Sequence, residues 1–384
     1  MILEPLSRLC LHITDGSHNP PKGIEFSNFI MLSSKNVMDD GITLSSPRYL
    51  SEAAFQAEDK RTKVSFGDVL LTIVGTIGRS SVVPEELQKI TLQRSVAVLK
   101  PDPQSVVPRF LMYALQAGAQ QLNEQARGVA QKGIYLKTLR DFCIPKPPLA
   151  EQQRIVAILD EAFAGIATAT ANAEKSLANA RELFDAVRAA SMNNGNWPTR
   201  NLGDIATNLD RLRQPITKKD RHAGSIPYYG ASGQVDSVRD HIFDEDLLLV
   251  SEDGANLLAR TYPIAFSISG KSWVNNHAHV LRFEQMETQR FVEAFLNGIS
   301  LEPYVSGMAQ PKLNQKQLNA IPIPLPDLDE QRAIVDRLSN LAGHVEDLEA
   351  IYIAKENSLS ELKRIILTKA FSGELTSVEQ AVAA

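Results

Sequence analysis

Four stretches of the chain hold residue types that could do chemistry, and each lacks the partner its chemistry needs. Asn19-Pro20-Pro21 begins the Asn/Asp-Pro-Pro-aromatic motif with which adenine methyltransferases hold a flipped base, but Lys22 stands where the ring belongs and Phe26 is too far along. Gly75 and Gly78 follow a strand-like run, yet Arg79, Ser80 and another strand-like run come next, so no helix N-terminus is offered to a cofactor phosphate. His277-Ala278-His279 puts two imidazoles on one face of a strand. Two ligands are too few for a metal, and Cys10 and Cys143 complete neither a zinc set nor a disulfide framework. Glu252-Asp253 before Gly254 offers two carboxylates, which an exposed turn explains without catalysis. No GxxxxGK[ST] string is present to hold ATP. Neither a catalytic residue nor a metal site is expected in this chain.

The elements that would position any site come from a repeat. Residues 133–156 and 312–335 align without a gap at a constant spacing of 179 residues. Ile134 falls on Leu313, Lys137 on Lys316, Leu139 on Leu318, Pro145 on Pro324, Glu151-Gln152 on Glu330-Gln331, and Ile155-Val156 on Ile334-Val335. Just upstream, Gly128-Val129-Ala130-Gln131 parallels Gly307-Met308-Ala309-Gln310. The chain therefore reads as two copies of one unit, each a globular block, a proline-rich hinge and a long helix. Pro145, Pro147 and Pro148, with Pro322, Pro324 and Pro326, bar the helical region for their predecessors, so both hinges should be extended. Helices should start near Ala150 and near Asp329, the second capped by Asp327 or Asp329.

Each helix carries an apolar seam. In the first, Ile155, Leu159, Ala162, Ile166, Ala169, Ala173, Leu177, Ala180, Phe184 and Val187 keep a 4-3 rhythm with one doubled four, a stutter. In the second, Ile334, Leu338, Leu341, Val345, Leu348, Tyr352, Leu359, Leu362 and Ile366 keep it with Lys355 as an intruder. Each seam is roughly 50 Å long at ~1.5 Å per residue. Two matched seams in one chain offer each other a partner at high effective concentration, so the helices are expected to pack together. The blocks read as α+β. Strands are expected within 67–78 and 92–101 and a helix over 108–122; the second block repeats the order at 246–255, 277–283 and 289–298.

Composition agrees with this layout. The 384 residues, 43% hydrophobic and 22% charged, suit two or three globular domains. The net charge of −5 is uneven, from +3 over residues 1–148 to −5 over residues 327–384, so a basic face on a block remains open. No unbroken run of about 18 apolar residues exists to span a bilayer. Glu4, Pro5 and Arg8 break up the N-terminus as a signal peptide. A reduced, cytoplasmic protein is expected.

Two variable blocks alternating with two repeated helices resemble the specificity subunit of type I restriction–modification enzymes. Local strings agree with that family: Thr14-Asp15-Gly16-Ser17-His18, Gly75-Thr76-Ile77-Gly78-Arg79, Tyr228-Tyr229-Gly230-Ala231-Ser232-Gly233, Asn275-Asn276-His277-Ala278-His279-Val280 and the closing Phe371-Ser372-Gly373-Glu374-Leu375. The resemblance covers essentially the whole chain. It implies a target recognition domain at 1–148, a first long helix at 149–192, a second recognition domain at 193–326, a second helix at 327–376 and a tail at 377–384. The helices would form an antiparallel coiled coil in a pseudo-two-fold repeat. Each domain would read one half of a bipartite, asymmetric DNA site. The chain would be non-catalytic and bind no cofactor. Two modification subunits would use S-adenosylmethionine to methylate adenine N6, and two restriction subunits would use ATP and Mg.

Within that expectation, DNA contacts follow from chemistry. Phosphates want Lys, Arg and Ser; base edges want Arg for guanine and Asn or Gln for adenine. In the first block, Ser17, Lys35, Asn36, Arg61, Lys63, Thr76 and Arg79 are polar residues beside turn signals, and Arg127 and Lys132 flank the repeated loop. In the second, Arg211, Arg213, Lys218, Tyr228, Tyr229, Ser232, Arg260, Lys271, Asn275 and Asn276 fill the role, with Lys312 in the matching loop. The competing reading is a coiled-coil scaffold that presents two domains to proteins and touches no DNA. Steep salt dependence of DNA binding separates the two.

Overall fold

The computed structural model describes residues 2–128, 132–192, 197–307 and 310–372. The repeated loop at 129–131 and 308–309, and the closing residues from 373 onward, lie outside them. The chain divides into two units, residues 1–172 with 354–384, and residues 173–353.

In the first unit Val96–Pro101 lies between Cys10–Asp15 and Val69–Thr72, and Ser80–Val82 closes the edge, all antiparallel. Val69, Leu71, Ala97 and Leu99 alternate onto the face covered by the helix Pro108–Ala117, where Phe110, Leu111 and Leu115 are buried. Leu70, Val96 and Val98 point the other way and meet Leu32, Ile90 and Leu92 of a smaller sheet. In that sheet Ile30–Leu32 pairs with Arg48–Tyr49 and runs parallel to Ile90–Leu92. The expected helix over 108–122 breaks at Gly118, where a Cβ would come within 2.7 Å of the Phe142 ring, and resumes as Ala119–Gln125.

The second unit repeats the plan. Ala278–Arg282 lies between Thr207–Asn208 and Leu247–Ser251, with Ala265–Ile268 at the edge. The helix Met286–Gly298 covers one face through Phe291, Val292 and Leu296. A second sheet joins Gly233–Val238, Ala223–Gly230, Lys271–Val274 and Phe243–Asp244, again with one parallel pair, Tyr228 opposite Trp273.

Both proline hinges are extended, and each is clamped in a two-stranded ribbon. Cys143–Pro145 pairs with Leu3–Pro5, and Pro322–Pro324 with Thr199–Asn201. The repeated glutamine has a job here. Gln152 is fully buried, donating to the carbonyls of Pro147 (2.9 Å) and Ser105 (3.1 Å) while accepting from Val107 N (2.8 Å). Gln331 likewise donates to the Pro326 carbonyl at 2.7 Å and accepts from Thr288 Oγ1 at 2.9 Å. Gln152→Ala strands the groups that the amide joins. Urea denaturation should register a loss of roughly 1–3 kcal/mol; an unchanged midpoint would mean that water replaces the amide.

The long helices span Leu149–Met192 and Leu328–Ser372. The second is capped by Asp327, whose Oδ1 accepts from Glu330 N at 2.9 Å; Asp329 sits in the first turn. Within each unit the two helices run antiparallel. In the first, Ile155 and Leu159 are buried in a cluster that also holds Leu367 and Ala370, and Lys363 lies over the Phe163 ring. In the second, Ile334 and Leu338 are buried, Arg181 Nε donates to Glu349 at 2.8 Å, and Tyr352 donates to Glu174 at 3.2 Å. On the first helix Ile166, Leu177 and Phe184 are half-buried, as are Leu341 and Leu359 on the second. Leu348 and Leu362 are exposed, at 43% and 44%. The half-buried places beside them belong to Glu349 and Lys363. A strict 4-3 rhythm drifts about 20° per heptad from the 3.6-residue period of a straight helix, and here the contact line takes the extra residue.

One helix among the described residues, Leu149–Met192, is long and apolar enough to cross a bilayer by length and composition, with a window of mean hydropathy 1.3. That corrects the expectation drawn from unbroken apolar runs. Asp160 and Glu161 interrupt the run, but alanines keep the average high.

Candidate nucleic-acid interface

The two units build the same backbone frame. In the first, Gln93 N donates to the Leu32 carbonyl, Ile73 N to Ser95, and Ile134 N to Ile73. In the second, Asn275 N donates to Tyr229, Glu252 N to His277, and Leu313 N to Glu252. These bonds equate Gln93, Arg94 and Ser95 with Asn275, Asn276 and His277. They also equate Ile73, Val74 and Gly75 with Glu252, Asp253 and Gly254, again 179 residues apart. Gly75 and Gly254 share a left-handed backbone, φ +84° and +110°. The repeated loops close alike, Arg127 exchanging hydrogen bonds with Gly133 and Ser306 with Lys312. Bridges to Val74 and Asp253 bring those loops beside the frame.

In the first unit this frame lines a cleft of about 300 Å³ containing Ser17, His18, Lys35, Val74, Gln93, Arg94 and Ser95. Gly16 lets the chain pass, since a Cβ there would lie 2.0 Å from the Leu92 carbonyl oxygen. Ser17 N then donates to Leu92 O, and Arg94 N to Ser17 O. Thr76 is exposed next to Gly75, and Arg127 and Lys132 are exposed on the adjoining loop. Ser17, Lys35, Thr76, Arg127 and Lys132 are thus brought to one region.

Three other expected contacts, Asn36, Arg61 and Arg79, are committed to the fold. Asn36 is buried, its Oδ1 accepting from Ser33 N and its Nδ2 donating to the Thr43 carbonyl. Arg61 binds the Asp15 carbonyl and carboxylate. Arg79 turns onto Met38 Sδ at 3.3 Å. Lys63 is exposed and ends the helix Glu52–Thr62 in a left-handed turn. The Asn19-Pro20-Pro21 stretch is tied to Arg48, which donates to the Pro21 carbonyl at 2.8 Å. These side chains sit next to turns, where buried backbone groups also need partners.

In the second unit Ser232, Asn276 and Lys312 are exposed around the equivalent frame. Asn275 is buried and accepts from His277 N at 2.8 Å. Tyr228 is buried beneath the Arg221 guanidinium, 4.3 Å from its ring centre. Tyr229 is half-buried against Phe266. Arg211 and Lys218 are exposed in short 3-10 helices, and Lys271 at a strand end. Arg260 donates to the carbonyls of Leu296 and Ile299 at the end of a helix. It lines a hollow of about 1340 Å³, where Arg188 and Arg290 mix with Glu293, Glu302 and Glu346. Such mixed charge makes no phosphate track.

The histidines expected on one face part company. His277 is exposed and holds Asp253, whereas His279 is 1% exposed. His279 Nδ1 lies 2.6 Å from Asp210 Oδ2 and Nε2 lies 2.8 Å from the Leu313 carbonyl oxygen. Both ring nitrogens are thus already engaged with oxygens of the protein itself. Asp210, Glu252 and His279 do have ligand atoms within 4.8 Å of one another. However, Glu252 already meets Arg213 at 2.6 Å and Lys312 at 3.2 Å. Burial opposes the charge of Asp210 and of Glu252. The Asp210 carboxyl is nonetheless held below the usual range by His279, Val280 N–H and Arg213, and that of Glu252 by Arg213, His279 and Lys312. The cluster is a balanced charge network that already satisfies itself. Arg213, expected on DNA, belongs to it.

His18, Gln93, Arg94 and Ser95 were not among the expected contacts. The 179-residue spacing, carried back to Val74/Asp253, points to the neighbourhood of the frame but not to its side chains.

A duplicated mixed domain, each copy passing through a clamped proline ribbon into a long helix, defines a two-headed recognition subunit. The chain belongs to the family of the type I restriction modification DNA specificity domain, whose profile matches residues 37–177 and 194–354. It is 34% identical over 142 residues to a putative type I restriction enzyme specificity subunit of Haemophilus influenzae, covering 37% of this chain and 36% of that protein. The chain thus spans about a third of that curated relative in the match. The fold is similar to the HsdS subunit from Thermoanaerobacter tengcongensis, with TM-score 0.60, 20% identity and 97% of each chain covered. It is also similar to a chain solved in a study of complex assembly and conformational transition of the type I R-M system. That match has TM-score 0.74 and 18% identity, covering 97% of this chain and 98% of that one.

Proposed function

We propose that each unit reads one half of a bipartite, asymmetric DNA site, and that the paired long helices set the spacer between halves and dock the partner subunits. The observation that carries this reading is one backbone frame, built twice, bearing different side chains at equivalent places. Gln93 and Arg94 in one copy stand where Asn275 and Asn276 stand in the other. Donors and acceptors of different pattern on a common frame suit two half-sites of different sequence. On this reading the chain works in the cytoplasm and catalyses nothing. Two modification subunits supply adenine-N6 methylation from S-adenosylmethionine, and two restriction subunits use ATP and Mg.

Residues 1–143 end just before the first hinge, so they can be exchanged for the same block of another specificity subunit. Methylome sequencing of a host that carries the hybrid with its modification partner should show one half-site replaced and the other retained. Simultaneous change of both halves would sink independent reading.

A further inference from the structure

Beside the changes of Arg94 to Asn276 and Ile73 to Glu252, the two frames differ in charge at one facing pair of positions. In the first unit the pair is Val74 and Ser95, and Ser95 Oγ accepts from Ser34 N at 3.1 Å, within the protein. In the second unit the same positions hold Asp253 and His277. His277 Nδ1 lies 2.9 Å from one carboxylate oxygen of Asp253 and 3.0 Å from the other. The imidazole side chain is 52% exposed and the carboxylate 20% exposed. Nδ1 donates to the carboxylate, so the ring fixes its direction while lone pairs on both oxygens remain available.

A carboxylate at a surface that faces phosphates is repelled by them, and its neighbours show the usual remedy. Glu252 is covered by Arg213 and Lys312. Asp253 has no lysine or arginine partner among the described residues, only the exposed His277. An acceptor held this way matches an exocyclic amine on a base edge and is repelled by the acceptors of guanine and thymine. Adenine sets an acceptor, N7, beside its amine and calls for a donor–acceptor side chain, whereas cytosine presents the amine without that acceptor. The cleft of the first unit has the opposite character. Among its described residues Lys35 and Arg94 are donors without a side-chain partner in the protein, and no carboxylate lines it.

We infer that Asp253 is a specificity-determining residue that accepts from the N4 amine of a cytosine in the half-site of the second unit, and that His277 is its positioning residue. The inference rests on the DNA reading proposed above. It makes one position of that half-site a C·G pair, read from the cytosine side.

The test uses the chain assembled with its modification subunit, with methylated motifs read from total DNA. Asp253→Ala should keep the bipartite motif and the other half-site. One specified cytosine in the second half-site should become degenerate, with discrimination there falling about tenfold. Asp253→Asn keeps the shape and adds a donor, so the preference at that position should move toward adenine. It also serves if the alanine variant folds poorly. His277→Ala should blur the same position and no other, which a merely structural histidine would not do. An unchanged motif in Asp253→Asn, or relaxation at an A·T pair or in the other half-site, overturns the inference and leaves the DNA reading intact. A wild-type complex that methylates no bipartite motif overturns both.

Discussion

Replacing Asp210 by alanine should destabilise the second unit by roughly 3–5 kcal/mol, because it leaves the buried His279 without the carboxylate it meets at 2.6 Å. The equivalent residue of the first unit makes the contrast. Asp15 pairs with Arg61 and His18, whose side chains are 49% and 59% exposed. Water can take over from Asp15, so Asp15→Ala should cost about 1 kcal/mol. Hydrogen–deuterium exchange localises the effect: peptides covering 278–282 should lose protection in Asp210→Ala, and those covering 96–101 should keep it. Equal losses in the two variants would show that burial of the partner does not set the cost. The pH dependence has a definite sign. The Asp210 carboxyl is depressed in the folded state, so its contribution is present above the unfolded value of about 3.9 and is lost as pH falls through the lower folded value. The wild-type chain should therefore show a stability loss on acidification below about pH 4 that Asp210→Ala lacks.

The second large effect concerns the helices as a ruler, and it follows from the proposed function. Inserting four residues near Ala169 adds about 6 Å of helix. The added length is close to one 3.6-residue turn, so the apolar line keeps its face with one more stutter. The unspecified spacer of the methylated motif should lengthen by one or two base pairs. The bases in each half-site should stay the same, because neither frame has been altered. Ala169 suits the insertion because it is small and half-buried, away from the clusters that bury Ile155 and Leu159 or Ile334 and Leu338. An active insertion variant with an unchanged spacer would reduce the helices to a docking surface.

The sequence by itself determined the duplication, the hinges and the helices. These rest on local rules: proline bars the helical region for the residue before it, and an apolar residue every three or four positions makes a stripe whatever covers it. Even the paired glutamines stood out, although their role in tying the proline carbonyls needed coordinates. Side-chain destinations were decided only by the tertiary structure. Asn36, Arg61, Arg79, Arg213, Tyr228 and Arg260 have the composition of a DNA contact and spend their donors on the protein itself. A donor beside a turn meets either solvent or a buried carbonyl, and which of these it meets depends on strands far away in sequence. Asp210 and His279 are 69 residues apart and join because the edge of one sheet brings them together. The exposure of Leu348 and Leu362 came from the same source: helix pairing chose a line one residue over, and no single helix carries that information. The small sheet of the first unit was missed because two- and three-residue strands such as Arg48–Tyr49 and Ile30–Leu32 have no period of their own. Those strands nevertheless hold the frame on which the candidate contacts sit, since its edge forms only when a parallel neighbour, distant in the chain, supplies the carbonyls.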